Sequence, residues 1–223
     1  MYPNSYLNTV DITVLKKYFV KNGVLKEFPK DAVFQEEGSK VKQFGFIRRG
    51  GVIYCRESYE GKTFIGGYAF ENSFIGEYSS FKRDRTSDIC IKTIEPSSIY
   101  ILSARQITEF ICQSIDNTLL FCSIVEEMYF NMRERLISFY TLSPQEKYVR
   151  LLKNSPELLK RIPLKEIALF IGVTPEALSR IRKRLAASGG VNLSLYDKAG
   201  LESGDDLKAE AEAQVDAPVN PVD

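Results

Sequence analysis

Glu176, Ser179 and Arg180 stand at positions i, i+3 and i+4, a spacing that puts all three on one face of a helix. Arginine can donate a bidentate pair of hydrogen bonds to guanine, and a carboxylate can accept from the amino group of cytosine. Side chains of this kind, held on one helical face, can read base edges in a groove. Arg182, Lys183 and Arg184 follow directly, and Lys165 lies upstream; these are candidates for contacts with phosphate. A run of cations at a helix end also suits the helix dipole, so Arg182–Arg184 has a plain solvated reading beside the functional one.

The residues around this face have the chemistry needed to position it. Gly172 can end one helix in the left-handed conformation. Thr174 can cap the next, with Pro175 as its first residue and a preset φ. Ala168 is small where two helices must cross. Ile167, Ile171, Val173, Leu178 and Ile181 are apolar on the two inner faces. All of these requirements fall between Pro163 and Leu185, which therefore reads as a helix-turn-helix, with its second helix expected in the major groove of double-stranded DNA. The remaining alternative is a helical hairpin with no nucleic acid.

Upstream, Ser143-Pro144-Gln145-Glu146 predicts a helix start: Ser143 as N-cap, Pro144 first in the helix and Glu146 as the returning carboxylate of a capping box. The same point is a candidate interdomain hinge. Between Ile111 and Leu142 there is no Gly or Pro. Steps of four and three run through Ile111, Ile115, Thr118, Cys122, Val125, Tyr129, Met132, Leu136 and Phe139, a heptad-like seam. A helix of that span, about 45 Å at 1.5 Å per residue, outruns a small domain. A second copy of the chain is the expected partner for the seam; packing on its own domain is the alternative.

Residues 28–102 read differently. Short β-branched and aromatic runs (Ala32–Gln35, Phe44–Arg48, Val52–Arg56, Lys62–Tyr68, Ile89–Thr93, Ser98–Leu102) alternate with turn residues, Gly50-Gly51 and Glu60-Gly61 reading as hairpins. That pattern predicts an antiparallel roll, barrel or sandwich, preceded by a short helix, Ile12 to Lys21. Within it, Gly76-Glu77 is followed by Arg85-Thr86. An arginine beside a hydroxyl, near a glycine that admits close backbone approach, suits a phosphate, and Glu77 could accept from a sugar hydroxyl. Arg85 also lies in a charged run, Lys82-Arg83-Asp84-Arg85, that could simply be solvated.

Composition narrows the rest. The 223 residues suit two modest domains, and 44% are hydrophobic, enough for packed cores. Met1–Val10 lacks the basic start and apolar run of a signal peptide, no stretch is long and apolar enough for a membrane span, and a cytoplasmic chain is expected. The net charge of +1 averages unlike segments. Gln145 to Gly190 holds ten Lys and Arg against four Glu, a balance of +6, whereas Ser203 to Asp223 holds one Lys against six acidic residues, a balance of −5. A basic module is what a phosphate backbone attracts.

Cys55, Cys90, Cys112 and Cys122 form no CxxC pair, so four buried reduced thiols are expected, with no zinc or iron–sulfur site. The chain has no histidine, which removes histidine-ligated haem and every His-based triad. No nucleophile–base pair or P-loop appears either, and the chain is expected not to be an enzyme.

A roll, a long seam-bearing helix and a helix-turn-helix, in that order, resemble the CRP/FNR family of bacterial transcription regulators over roughly residues 10 to 186. The tightest part is Ala168 with Gly172 to Arg180; Glu176, Ser179 and Arg180 match the E-x-x-S-R form of the FNR branch. The resemblance implies a homodimer on a two-fold site with TGA-type half-sites one helical turn apart, and RNA polymerase as a further partner. Pro175 departs from the pattern, since many members have Arg there. Arg85-Thr86-Ser87-Asp88-Ile89 is similar to the family's Arg-Ser-Ala-x-Val. By that resemblance Gly76-Glu77 would hold the ribose of a cyclic nucleotide, Arg85 and Thr86 its phosphate, and Asn131 on the long helix its base, with cAMP favoured over cGMP. The spacer between Glu77 and Arg85 is shorter than in the best-known cAMP binders. Many similar regulators have no established ligand, so no cofactor is obligatory. A β-hairpin wing normally follows the second helix, and Val191–Tyr196 is a poor stand-in for it.

The expected fold is thus α+β: an antiparallel cyclic-nucleotide-binding-like β-roll (1–110), a dimerisation helix (111–142), a winged-helix-type helix-turn-helix domain (143–196) and a disordered acidic tail (197–223). The expected function is a homodimeric DNA-binding regulator, with cAMP as a possible effector. A ligand-independent regulator and a ligand-sensing module acting on a protein partner without DNA remain as alternatives.

Overall fold

The computed structural model describes residues 9–57, 61 and 63–187. The expected wing Val191–Tyr196 and the acidic tail 197–223 lie outside these residues. The chain divides into two units, Met1–Arg135 and Leu136–Asp223.

The first unit starts with α1 (Thr13–Asn22), close to the expected short helix. Among the described residues eight strands follow: β1 (Val24–Phe28), β2 (Val33–Gln35), β3 (Gln43–Arg49), β4 (Val52–Glu57), β5 (Thr63–Ala69), β6 (Phe74–Ile75), β7 (Cys90–Thr93) and β8 (Ser97–Ser103), with α2 (Tyr78–Lys82) between β6 and β7. They form two four-stranded antiparallel sheets, ordered β1-β8-β3-β6 and β2-β7-β4-β5. All six runs expected as strands are strands. Gly50-Gly51 is not the hairpin turn that its sequence suggests: β3 pairs with β8 and β6, whereas β4 pairs with β5 and β7. The pair instead carries the chain from one sheet to the other. Gly50 holds φ +96°, and a Cβ there would fall 2.2 Å from the Ser97 hydroxyl.

Strand alternation builds the core. Ile47, Val52, Ile75, Ile91 and Ile99 point between the sheets, with Phe34 and Ala69 completing that layer. Phe44 and Phe46, on the other face of β3, pack under α1 and under α3 (Ala104–Gln113) against Phe19, Ile107 and Phe110. Burying each such side chain stabilises the fold by about 1.5–3 kcal/mol.

The expected unbroken helix from Ile111 divides at Ser114, which is extended (φ −153°, ψ 159°) and ends α3. The Ser114 hydroxyl accepts from the Asn117 backbone N–H at 3.1 Å, so it caps the start of α4 (Ile115–Thr141). Ile111 accordingly leaves the seam and packs, half-buried, on the α1/α3 core. Most of the remaining stripe is bare, Ile115 being 70% exposed, Tyr129 69%, Met132 63% and Leu136 57%, whereas Thr118 and Phe139 are half-buried. Ile124, on another face, is the buried residue of this helix. The exposed seam residues face solvent because α4 buries a different face, the one that carries Ile124.

The thiols also differ from expectation. All four are free, but only Cys55 is buried. Cys90 is half-buried, and Cys112 and Cys122 are exposed because the helices that carry them turn other faces inward. Among the described residues no helix is long and apolar enough to cross a membrane.

Candidate nucleic-acid interface

The second unit contains α5 (Pro144–Asn154), α6 (Pro156–Arg161), α7 (Leu164–Ile171) and α8 (Pro175–Ala187). The α5 start follows the expected capping box. Ser143 accepts from the Glu146 N–H at 3.3 Å, and the Glu146 carboxylate accepts from the Ser143 N–H at 2.7 Å. The Ser143 hydroxyl, followed by the Ser143 backbone N–H, holds the Glu146 carboxyl below the usual carboxylate range. Tyr148, Leu151 and Leu152 of α5, Leu158 of α6 and Ile167, Ala168, Phe170 and Ile171 of α7 are buried, together with the polar Ser155. Ala168 is 0% exposed, the small residue the crossing requires.

Gly172 ends α7 in the left-handed conformation, φ +73° and ψ +39°. Its N–H donates to Leu169 O at 3.1 Å, and the Val173 N–H donates to Ala168 O at 2.9 Å, closing the helix end. The space beside Gly172 is filled. A Cβ there would lie 2.6 Å from the ring of Phe139. The Lys147 ammonium lies 4.9 Å from the centroid of the same ring while donating to Phe139 O at 3.0 Å.

Thr174 caps α8, its hydroxyl accepting from the Ala177 N–H at 3.2 Å, and Pro175 is the first helical residue. Leu178, Ile181 and Leu185 bury one face of α8. The opposite face carries Glu176, Ser179, Arg180 and Lys183, all exposed at i, i+3, i+4 and i+7. Its own backbone N–H, then the Thr174 hydroxyl and the nearby Arg180 charge, hold the Glu176 carboxyl below the usual range, so it remains an acceptor. Lys165 and Thr174 are exposed nearby in sequence, whereas Arg182 is half-buried and turned off this face. Arg184 lies 3.4 Å from Gln145 Oε1, joining the end of α8 to the start of α5.

The second constellation, in the roll, is arranged otherwise. Gly76 has φ +148°, and a Cβ there would meet the Phe44 ring at 2.3 Å, so the glycine is required by packing. Glu77 caps α2: one carboxylate oxygen accepts from the Ser80 N–H at 2.9 Å and the other from the Ser79 hydroxyl. Asn131 donates to its own helix, at Glu127 O, 2.8 Å away. Arg85 and Thr86 are exposed.

The loop that carries Arg85 and Thr86 is latched by Lys40, which sequence reasoning missed. The Lys40 ammonium donates to the Asp84 carboxylate at 2.7 Å and to Asp84 O at 2.6 Å, and Lys40 bridges Thr86 in antiparallel register. This cation holds the Asp84 carboxyl below its ordinary value. Nothing in the sequence marks a lysine 44 positions away as the partner. Arg135 was also missed. Its guanidinium donates to the carbonyls of Gly66 and Ile65, bringing α4 onto β5.

No protein-family model and no curated protein matches the chain. Solved structures do match. The c-di-GMP responsive global regulator CLP of Xanthomonas campestris aligns at TM-score 0.63 and 18% identity, over 79% of this chain and 93% of that one. FixK2 from Bradyrhizobium japonicum aligns at TM-score 0.67 and 14% identity, over 88% of this chain and 99% of its own. A transcriptional regulator of the crp/fnr family from Eubacterium rectale aligns at TM-score 0.61 and 14% identity, over 95% and 97%. The chain therefore has the α+β fold of the CRP/FNR regulators: an antiparallel β-roll followed by helices.

Proposed function

We propose that this chain is a homodimeric, cytoplasmic transcription regulator of the CRP/FNR type that reads double-stranded DNA through α8. One observation carries the reading. The Gly172 turn and the Thr174 cap set α8 so that Leu178, Ile181 and Leu185 are buried while Glu176, Ser179, Arg180 and Lys183 share one exposed face. Arg180 and Glu176 supply a base-reading pair, and Ser179 stands beside them. Lys183, Lys165, Thr174 and Arg182 supply phosphate contacts, which fix register without reading sequence. The exposed stripe from Ile115 to Leu136 is the surface on which a second copy would pair, because an apolar face of this extent is costly to leave in water. RNA polymerase is the further partner such a regulator would engage.

Fluorescence anisotropy with a duplex bearing two TGA-type half-sites one helical turn apart tests the reading. Tight binding that falls steeply with salt, and falls again when the half-sites are scrambled, is expected. Equal, salt-insensitive binding to both duplexes would instead favour a module acting on a protein partner. Sedimentation checks the dimer: Leu136→Glu is expected to yield monomers.

For the roll, a cyclic nucleotide, cAMP before cGMP, is the proposed effector. Arg85 and Thr86 would take its phosphate, Gly76 and Glu77 its ribose and Asn131 its base. A coupling of about 1–3 kcal/mol between the two sites would suffice to switch DNA binding. The capping role of Glu77 favours a second reading, regulation without a nucleotide, because both carboxylate oxygens already serve α2. Calorimetric titration with cAMP and cGMP separates the two. Heat that disappears in Arg85→Ala supports the effector; no heat supports the ligand-independent form.

A further inference from the structure

The roll brings two cysteines together that lie far apart in sequence. Cys55 of β4 and Cys90 of β7 are direct partners in antiparallel register. Such partners have Cα atoms roughly 4.5–5.5 Å apart, inside the roughly 4.4–6.8 Å that a disulfide spans. Directly opposed residues project from the same side of a sheet. The next pair along, Tyr54 and Ile91, faces the core between the sheets, so by alternation both thiols rise from the other face. Both are free.

We propose that Cys55 and Cys90 form a reversible disulfide on exposure to hydrogen peroxide, stapling β4 to β7. Their surroundings divide the roles. Cys55 is buried, and burial, followed by the neighbouring Cys90, pushes its thiol up to about 11. It is therefore held protonated at neutral pH and shielded from solvent. Cys90 is only half-buried and meets the oxidant first.

The Cys90 thiolate attacks one peroxide oxygen; an S–O bond forms, the O–O bond breaks, and the departing hydroxide takes a proton to become water. The Cys55 sulfur then attacks the resulting sulfenic acid. The S–S bond forms, the S–O bond breaks, and the leaving hydroxide takes the Cys55 proton. In sum two thiols lose two electrons and two protons, and one peroxide becomes two waters. The ring so closed runs from residue 55 to residue 90 and contains β5, β6, α2 and the Arg85–Thr86 loop. Oxidation would thus tie down the base of that loop, since Cys90 is where the chain re-enters the sheet.

The test uses the full chain carrying Cys112→Ser and Cys122→Ser, which removes the exposed thiols. After peroxide treatment, alkylation without reduction and proteolysis, mass spectrometry is expected to find one peptide pair linked through Cys55 and Cys90, two hydrogens lighter than the reduced pair. Dithiothreitol should release it. The oxidised chain should also melt higher than the reduced one, because the staple restricts the unfolded state. In Cys55→Ser, Cys90 should be trapped by dimedone, which reads the sulfenic acid without needing the second thiol. The proposal is overturned if both thiols stay alkylatable in the peroxide-treated chain, if Cys90 runs on to the sulfinic acid with no link, or if dimedone fails to label Cys90 in Cys55→Ser.

Discussion

The exposed face of α8 and the segment around α2, from Gly76 to Thr86, hold similar chemical groups, a carboxylate and an arginine beside a hydroxyl, but the fold uses them in opposite ways. On α8, burial of Leu178, Ile181 and Leu185 leaves Glu176, Ser179, Arg180 and Lys183 facing solvent together. In the roll, Glu77 is consumed as a helix cap, Gly76 is packed against Phe44, and Asn131 bonds to its own helix. Residue types that suit a ligand are not evidence of a ligand site until their hydrogen-bonding capacity is accounted for. The α8 groups spend less of theirs on the fold: the Glu176 carboxylate accepts from its own N–H and the Thr174 hydroxyl, while Ser179, Arg180 and Lys183 stand exposed. Those of the roll spend much of theirs on the fold, leaving Arg85 and Thr86 as the exposed remainder.

Four experiments bear on this contrast. The largest effect is expected for Gly172→Val. A β-branched residue held at positive φ costs about 1–3 kcal/mol, and its side chain would also have to displace Phe139. Loss of the cooperative melting of the second unit, together with DNA binding, is the expected result; an unchanged melt would show that the turn does not set α8. Next, Arg180→Ala should weaken binding to a specific duplex by about 1–3 kcal/mol while leaving random duplex nearly unaffected. A uniform loss on both, measured by anisotropy, would reassign Arg180 to phosphate.

Third in size, Glu77→Ala should cost about 1 kcal/mol of roll stability through the lost cap, visible in urea unfolding with no nucleotide present. Unaltered stability would free Glu77 for a ligand and erase much of the contrast. The smallest effect concerns pH. The Glu176 carboxyl is lowered in the folded chain, so its ionised form contributes stability above its unfolded value and loses it as pH falls through the folded one. Discrimination by α8 is therefore expected to stay flat from about pH 8 to about pH 5, well above the unperturbed glutamate value. A specificity loss centred near pH 6, absent in Glu176→Gln, would contradict the local hydrogen bonds assigned to it.

The parts of the molecule that were legible in the sequence are those built from local rules. Gly172, Thr174, Pro175 and the Ser143–Glu146 box each act within four residues, and each does in the structure what its type suggests. The exposed face of α8 followed from the same periodicity. Features set by distant partners were not legible. Strand β1 was missed because its residues Lys26 and Glu27 break any apolar pattern at the edge of the sheet. Strand β6 is only two residues long. Gly50-Gly51 looked like a hairpin because nothing local says that β3 and β4 join different sheets. Lys40 and Asp84, like Cys55 and Cys90, meet only because the strands bring them together. The break at Ser114 is an intermediate case. A serine followed by Asp116 and Asn117 is itself a helix-start signal, obscured by the continuing apolar seam.

The packing of Phe139 beside Gly172 joins the last turns of α4 to the turn between α7 and α8, all within the second unit. Any rotation of α4 about its own axis would turn the Phe139 ring against the one residue whose left-handed backbone fixes the direction of α8. The glycine turn is thus a bearing as well as a bend, and the aromatic ring is the tooth that engages it.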